Sequence, residues 1–151
     1  MATAFHRDPR QRPSVQVEPP RRQMSSRPPA NRPTVLIVED EPHLTLLYET
    51  ELRREGFDTL TACDGRSCLD NLLSMEIDLV ILDLRMPGMD GIDLLARIRG
   101  LDRTIPVLIN TAYSEYANNY LTWAADDFVV KSSDVSELVA RCRHLVRRVQ
   151  G

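Results

Sequence analysis

From residue 34 onward, short runs of β-branched and apolar residues alternate with longer segments in which apolar residues recur every three or four positions. The runs are typical of strands buried on both faces, and the longer segments are typical of helices. The predicted strands cover residues 34–39, 57–61, 78–83, 105–110 and 127–131. The predicted helices cover residues 42–56, 67–75, 92–100, 114–124 and 135–149. Five strands alternating with five helices predict an α/β fold, a doubly wound parallel sheet with helices on both faces.

The first 33 residues carry no such pattern. They contain seven of the chain's ten prolines and seven arginines against two acidic residues, so we predict a disordered Arg/Pro-rich tail or linker. An alternative is an arm that docks on an acidic surface. A second alternative is that translation starts at Met24, which would remove most of the tail. Residues 34–151 form the predicted folded domain.

Charge and hydropathy argue against several classes of protein. The net charge is −3, but the tail contributes +5, and the folded part, with 12 basic and 20 acidic residues, contributes −8. An acidic domain is a poor match for DNA phosphates, so nucleic acid is not an expected partner. No apolar run approaches the roughly 20 residues that span a bilayer, and the start lacks the apolar core of a secretory signal. The three cysteines are too few, and odd in number, for a disulfide framework, and they lack metal-ligand spacing. This favours a reducing cytoplasm.

Charged and hydroxyl side chains follow the predicted strands at the edge where open parallel sheets bind ligands. Glu39 and Asp40 lie at the end of the first strand, Asp83 ends the third, Thr111 follows the fourth and Lys131 ends the fifth. Acids at neighbouring strand ends repel each other unless a cation lies among them, and Mg²⁺ prefers carboxylate and carbonyl oxygens. A carboxylate beside a metal, an ammonium and a hydroxyl is typical of a site that accepts a phosphoryl group as an acyl phosphate.

Each of these residues also has a purely structural interpretation. Glu39 and Asp40 could cap the first helix, and Thr111 could cap the fourth. Asp83 is harder to explain in this way, because a carboxylate directly after an apolar strand is costly to bury without a partner. Lys131 is the only lysine in the chain, which favours selection for a compact point charge.

Four segments together resemble the receiver domain of two-component response regulators. They are VLIVEDEP at 35–42, VILDLRMPGMDG at 80–91, the Thr-Ala pair at 111–112 and FVVK at 128–131. They occur in the family's order and cover nearly the whole folded part. The resemblance implies a flavodoxin-like sheet of five parallel strands in the order 2-1-3-4-5. A stand-alone receiver, like those of chemotaxis, is expected because the sequence ends soon after the last predicted helix.

The resemblance also implies a role for each site residue. Asp83 would be the phosphoacceptor, and Lys131 would pair first with it and then with the phosphoryl oxygens. Thr111 would bind the phosphoryl group and pull the following loop inward. Phe128 would be the switch aromatic whose rotamer follows that loop, although a plain core role is its alternative. The groups that would hold Mg²⁺ are Glu39, Asp40, Asp83 and the backbone carbonyl of Arg85.

Two positions depart from the family pattern. Receivers usually carry proline after the lysine, in a cis peptide bond that helps to aim the ammonium, whereas Ser132 follows Lys131 here. A cis bond before serine would cost about 2.5–4 kcal/mol, so either the loop stores that strain or Lys131 is aimed in another way. Glu39 stands where the family usually has Asp, and its extra methylene is expected to let it reach the ion through water.

The predicted fourth helix and the residue before it carry half of the chain's eight aromatic residues, at spacings of three, four and three. They are Tyr113, Tyr116, Tyr120 and Trp123. Such a stripe usually packs into a core, but in receivers this helix belongs to the face on which outputs dock and receivers pair. We therefore expect Tyr116, Tyr120 and Trp123 to form an output surface that faces a partner and moves on phosphorylation.

Arg85 and Tyr113 each lie two residues after a site residue, Asp83 in one case and Thr111 in the other. The resemblance to receivers implies that these positions flank the path of an attacking water molecule. We expect both residues to tune the rate of dephosphorylation.

We therefore expect a cytoplasmic single-domain response regulator. It would take its phosphoryl group from a histidine kinase or phosphotransfer protein, with small donors such as acetyl phosphate as a second source. It would signal by phosphorylation-dependent binding to a downstream protein, and a homodimer through helix four, strand five and helix five is a further expectation. One alternative is a receiver-shaped adaptor that takes no phosphate. Another is a phosphatase with Asp83 as nucleophile, which is disfavoured because Arg85 stands where such enzymes carry a second acid.

Overall fold

The computed structural model describes residues 32–150. Of the predicted tail, residues 1–31, which include the alternative start at Met24, lie outside the described residues. Between residues 32 and 150, no helix combines the length and the apolar character needed to cross a membrane.

Five parallel strands form the central sheet, and a short antiparallel ribbon follows the third. The sheet strands are β1 (Thr34–Val38), β2 (Asp58–Ala62), β3 (Leu79–Leu82), β6 (Val107–Thr111) and β7 (Asp127–Val130), and the ribbon strands are β4 (Arg85–Met86) and β5 (Met89–Asp90). The order across the sheet is β2-β1-β3-β6-β7, and every neighbouring pair is parallel. The predicted flavodoxin-like order is thereby confirmed. The ribbon was not predicted, because two-residue strands are too short to show a period.

Four α-helices flank the sheet: α1 (Pro42–Arg54), α2 (Gly65–Ser74), α3 (Gly91–Leu101) and α4 (Ser136–Gln150). α1 begins at Pro42. Backbone N–H groups in the first turn of a helix have no partner within the helix, so proline, which lacks this group, loses no hydrogen bond there. The carboxylates of Asp64 and Asp90 accept hydrogen bonds from backbone N–H groups in the first turns of α2 and α3. α2 therefore begins two residues before the predicted Ser67, because its cap is Asp64.

The prediction of a fourth α-helix is wrong. Residues 114–124 instead form two 3₁₀ helices, η1 (Ser114–Asn118) and η2 (Tyr120–Ala124). The asparagines, tyrosines and tryptophan of this segment are weak helix formers. In addition, the Thr122 hydroxyl donates to the carbonyl oxygens of Tyr116 and Asn119 at 3.0 and 2.8 Å, and so engages acceptors that a regular helix would use.

The core consists of two apolar clusters, one on each face of the sheet. Successive residues of a strand point to opposite faces, so Val35 and Ile37 join the cluster with α1 and α4, whereas Leu36 and Val38 join the cluster with α2 and α3. Burying one side chain of this size contributes about 1.5–3 kcal/mol to folding. The closely packed strands therefore fix the positions of the residues at their ends.

Gly91 fixes the loop that follows β3. Its N–H donates to the Leu84 carbonyl at 3.2 Å, and a Cβ atom at this position would lie 2.4 Å from the Leu84 Cα. Only glycine allows this approach, which brings the start of α3 against the end of β3. Gly88, with a φ of 73°, follows Pro87 in the turn between β4 and β5.

Candidate functional site

The carboxyl ends of β1 and β3 bring two buried carboxylates side by side. The Asp83 N–H donates to the Val38 carbonyl at 3.1 Å, and the Glu39 N–H donates to the Ala62 carbonyl at 3.0 Å. These bonds extend the sheet one residue beyond β1 and β3. Glu39 and Asp83 are only 4% and 5% exposed, so both carboxylates need partners inside the protein.

The ammonium of Lys131 is the partner of both. Its Nζ lies 2.8 Å from Glu39 Oε1 and 2.9 Å from Asp83 Oδ2. The Lys131 backbone N–H donates to the Thr111 carbonyl at 2.8 Å, which holds the lysine at the end of β7. All peptide bonds between residues 32 and 150 are trans, including the one before Ser132. Lys131 therefore reaches the acidic pair without the cis bond that is usual in receivers.

The remaining carboxylate oxygens are held by backbone N–H groups. Glu39 Oε2 accepts from the Glu41 N–H at 3.2 Å, and Asp83 Oδ1 accepts from the Arg85 N–H at 3.1 Å. Burial raises the pKa of Glu39, and the hydrogen bond and charge of Lys131 only partly offset this effect. Burial alone would lower the pKa of Lys131, but the bonds to both carboxylates outweigh it and raise that pKa. The lysine is therefore charged at neutral pH.

Asp40 completes an acidic cluster that could hold a metal ion. One carboxylate oxygen each from Glu39, Asp40 and Asp83 lie within 4.8 Å of one another, and Asp40 is exposed to solvent. Three carboxylates facing one ammonium leave excess negative charge, and hard oxygen donors suit Mg²⁺. The helix-cap interpretation is not supported, because the N-cap of α1 is Glu41 and its side chain makes no cap hydrogen bond.

Thr111 ends β6 with a fully buried side chain. Its hydroxyl oxygen has no hydrogen-bond partner among the residues that the structure describes. Leaving a buried hydroxyl without a hydrogen bond costs about 1–3 kcal/mol of folding free energy. An unsatisfied hydroxyl at this position is therefore typical of a group that binds a ligand. The cap interpretation is again not supported, because the N-cap of η1 is Tyr113.

Comparison with known proteins gives the family. The model of the response regulator receiver domain matches residues 35–143. This chain belongs to the response regulator receiver family. The receiver is 41% identical over 116 residues to the response regulator ArlR of Staphylococcus aureus, a match that covers 76% of this chain and 52% of the relative. Because the chain spans about half the length of the curated relatives that it matches, its action as a single-domain protein stays a prediction.

Solved structures give the same family and fold. The Thermotoga maritima response regulator TrrA, crystallised with Mg²⁺-BeF, is 38% identical to the receiver with a TM-score of 0.72, over 75% of this chain and 98% of that one. TrrA was also solved in complex with the histidine kinase ThkA, with a TM-score of 0.71 over 75% of this chain and 97% of that one. A CheY-like receiver of Methanospirillum hungatei, 20% identical with a TM-score of 0.75 over 80% of this chain and 98% of that one, shares the fold.

A cation–π contact links the two loops after Asp83 and Thr111. The guanidinium carbon of Arg85 lies 4.2 Å from the centre of the Tyr113 ring. Both residues were expected beside the water path in this receiver, but nothing in the sequence showed that they touch. Their effect on dephosphorylation stays a prediction.

The predicted output surface is not one continuous stripe. Trp123 is 73% exposed, whereas Tyr116 is half-buried against the apolar cluster with α2 and α3. Tyr116 and Trp123 lie in two separate 3₁₀ helices, so no single helical face carries both aromatics. The Tyr120 side chain lies outside the described part of the receiver. Phe128 is half-buried against the same cluster as Tyr116, which suits both the switch and the core interpretation.

Asn110 is a buried polar residue whose part in the site the sequence did not reveal. Its side chain forms a hydrogen bond with Tyr48, a buried residue of α1. Burial raises the pKa of Tyr48, and this bond only partly offsets it. The available signal was an amide inside an otherwise apolar strand, directly before Thr111.

Proposed function

We propose that this receiver accepts a phosphoryl group on Asp83 from a histidine kinase or phosphotransfer protein. The observation that carries the proposal is the buried Asp83 carboxylate, held by Lys131 and flanked by two further acids at the carboxyl edge of the sheet. The related TrrA was crystallised with a histidine kinase, which supports a kinase as the phosphodonor.

Glu39, Asp40 and Asp83 would hold Mg²⁺, together with the backbone carbonyl of Arg85. The donor chemistry fits this ion, and the related TrrA was crystallised with Mg²⁺-BeF. Bound Mg²⁺ supplies positive charge next to the transferred phosphoryl oxygens. Asp40, the exposed member of the cluster, is the carboxylate that solvent and an incoming ion reach first.

In the proposed transfer, one Asp83 carboxylate oxygen forms a bond to phosphorus. The bond between phosphorus and the donor's imidazole nitrogen breaks, and its electron pair stays on that nitrogen. Lys131, already within 2.9 Å of Asp83, neutralises charge on the phosphoryl oxygens. These groups are positioned before the donor arrives, so the fold contributes orientation while the phosphohistidine supplies the driving force.

The proposed switch begins at Thr111. Its unpartnered hydroxyl would donate to a phosphoryl oxygen and draw in the loop that carries Tyr113 and η1. Phe128, on the strand paired with β6, would change rotamer with that loop. The response would reach a downstream protein, or a second copy of the chain, through the exposed face of η2, β7 and α4, which includes Trp123 and Val130.

Intact mass measured after incubation with acetyl phosphate and Mg²⁺ tests the proposal. We expect the receiver to gain the mass of one phosphoryl group, Asp83→Asn to gain none, and a metal chelator to suppress the gain. Beryllofluoride with Mg²⁺ should change the fluorescence of Trp123, the only tryptophan. If the protein shows neither the adduct nor the spectral change, it is the adaptor that takes no phosphate. If it steadily turns over a phosphoester, it is a phosphatase. Either result would overturn the proposal.

A further inference from the structure

The opposite end of the sheet carries a groove, lined by apolar side chains and carboxylates, that the proposed phosphotransfer does not use. The groove has a volume of about 470 Å³ and lies between the C-terminal ends of α2 and α3. Asp78 lines it just before β3, whereas Asp83 follows the other end of that strand. Five residues of extended chain span roughly 16 Å, so a partner in the groove would leave the acceptor edge free.

Large apolar side chains are concentrated around this groove and stand in solvent. Leu73 is 70% exposed, Met75 is 49% exposed and Leu101 is 46% exposed, and all three line the groove. They make up three of the seven exposed large hydrophobic residues in the described part of the chain. Ile77 and Ile105, which are more buried, also line the groove and provide an apolar base. Clustered exposed apolar residues of this kind mark interaction surfaces.

The charged lining of the groove is entirely acidic. Glu76, Asp78 and Asp102 contribute three carboxylates, and none of the lining residues is a lysine or arginine. Asp102 is held ionised, because hydrogen bonds from Thr104 lower its pKa. Two of the three carboxylates have partial partners, because the charge of Arg99 acts on Asp102 and Asp78 Oδ2 accepts from the Thr34 N–H at 2.8 Å. The groove therefore combines exposed apolar side chains with a net negative charge.

The end of α2 adds to this negative charge. α2 has no basic residue in its last turn, whereas α3 has Arg99. Its guanidinium donates to the carbonyl oxygens of Ala124 and Ile105 and to Asp126. The carbonyl end of α2 therefore presents partial negative charge that favours cations, whereas Arg99 offsets this charge at the end of α3.

We propose that this groove docks a basic amphipathic segment of a partner protein, in which apolar side chains enter between α2 and α3 and neighbouring arginines or lysines meet the acidic rim. Charge complementarity selects this occupant over a neutral or acidic segment. The groove and Asp83 lie at opposite ends of β3, so the docked segment does not compete with a phosphodonor for the acceptor edge.

Three synthetic peptides with one leucine pattern, and with arginine, serine or glutamate at the intervening positions, test the proposal. Calorimetry should show tightest binding for the arginine peptide, weaker binding for the serine peptide and none for the glutamate peptide. Methyl NMR should place the shift changes at Leu73, Met75 and Leu101. Asp83→Asn should bind the arginine peptide as the unchanged protein does, so failure here and failure of the phosphoacceptor proposal are separate results.

Variants then locate the site. Leu73→Ser and Glu76→Arg should each weaken binding of the arginine peptide about tenfold, which corresponds to about 1.4 kcal/mol. The matched controls are Leu46→Ser, at an exposed leucine of α1, and Glu115→Arg, at an exposed acid of η1, and both should bind normally. Circular dichroism should show that all four variants fold.

Several results would overturn the proposal. They are equal binding of all three peptides, no binding of the arginine peptide, shift changes on another face, or normal binding by Leu73→Ser. Sedimentation provides a further test. If the protein self-associates and Leu73→Ser abolishes the association, the occupant is a second copy of this chain, and the proposed basic partner is wrong.

Discussion

Replacement of Lys131 by methionine tests how the buried site is held together. Methionine keeps most of the apolar stem but removes the ammonium that lies 2.8 Å from Glu39 and 2.9 Å from Asp83. The two carboxylates, each about 5% exposed, then face each other without a counter-charge. We expect this variant to lose stability in the absence of metal.

The size of the loss follows from the geometry. At these separations the attraction of each ion pair is roughly 6 kcal/mol for an effective dielectric constant near 20, and desolvation of the ammonium offsets much of it. Removal of one partner of a buried pair typically costs 3–5 kcal/mol. The Lys131 side chain retains 17% exposure, which allows water to approach, so we expect about 3 kcal/mol.

Urea unfolding at neutral pH, with and without excess magnesium chloride, measures this effect. We expect Mg²⁺ to restore part of the stability of Lys131→Met, because the ion replaces some of the missing positive charge. The control is Arg97→Met, which breaks an Asp93 pair of similar length, 2.9 Å, whose side chains are 64% and 58% exposed. This control should change stability by less than about 0.5 kcal/mol. Equal effects of the two substitutions, or no response to Mg²⁺, would refute the reasoning.

Three further predictions concern the loops and the cysteines. Joint replacement of Arg85 and Tyr113 by alanine should shorten the phosphoryl half-life roughly two- to fivefold, the range set by a cation–π contact of about 0.5–1 kcal/mol; an unchanged half-life in a phosphate-release assay would contradict this. Gly91→Ala should cost about 2 kcal/mol or more in urea unfolding because its Cβ would overlap Leu84. Gly100→Ala, where nothing lies within 4 Å, should instead stabilise α3 by up to about 1 kcal/mol, and equal effects at both glycines would argue against the close packing. Burial raises the pKa of Cys68 and Cys142 to about 12. At about pH 8 roughly one buried thiol in ten thousand is ionised, so only exposed Cys63 should react with a thiol reagent. Rapid labelling of more than one cysteine would show that Cys68 or Cys142 is accessible.

The strands and the acidic edge were predictable from local pattern. A run such as Leu79–Leu82 is apolar at every position, and the acid directly after it marks the end of the strand. Parallel strands place their carboxyl ends at one edge, so Glu39 and Asp83 could be expected to meet before any contact was known. The structure places them together as this argument requires.

Features that depend on particular hydrogen bonds and contacts were not predictable in the same way. The spacing of Tyr113, Tyr116 and Trp123 fits an α-helix, but the hydrogen bonds of the Thr122 hydroxyl accompany two 3₁₀ helices instead. The direction of the Lys131 side chain could not be predicted, because Ser132 replaces the usual proline. Only the tertiary structure showed that Lys131 reaches the two carboxylates with a trans peptide bond before Ser132. Likewise, the contact between Arg85 and Tyr113 joins two loops whose conformations no periodicity specifies.

The identity of the residue that carries the phosphoryl group tests the central claim most directly. After incubation with acetyl phosphate and Mg²⁺, borohydride reduction converts an aspartyl phosphate to homoserine, and peptide sequencing by mass spectrometry locates it. We predict homoserine at position 83 and at no other acidic residue. Modification of Asp40 in place of Asp83, or no modification under conditions that label another receiver, would contradict the assignment of Asp83 as the phosphoacceptor.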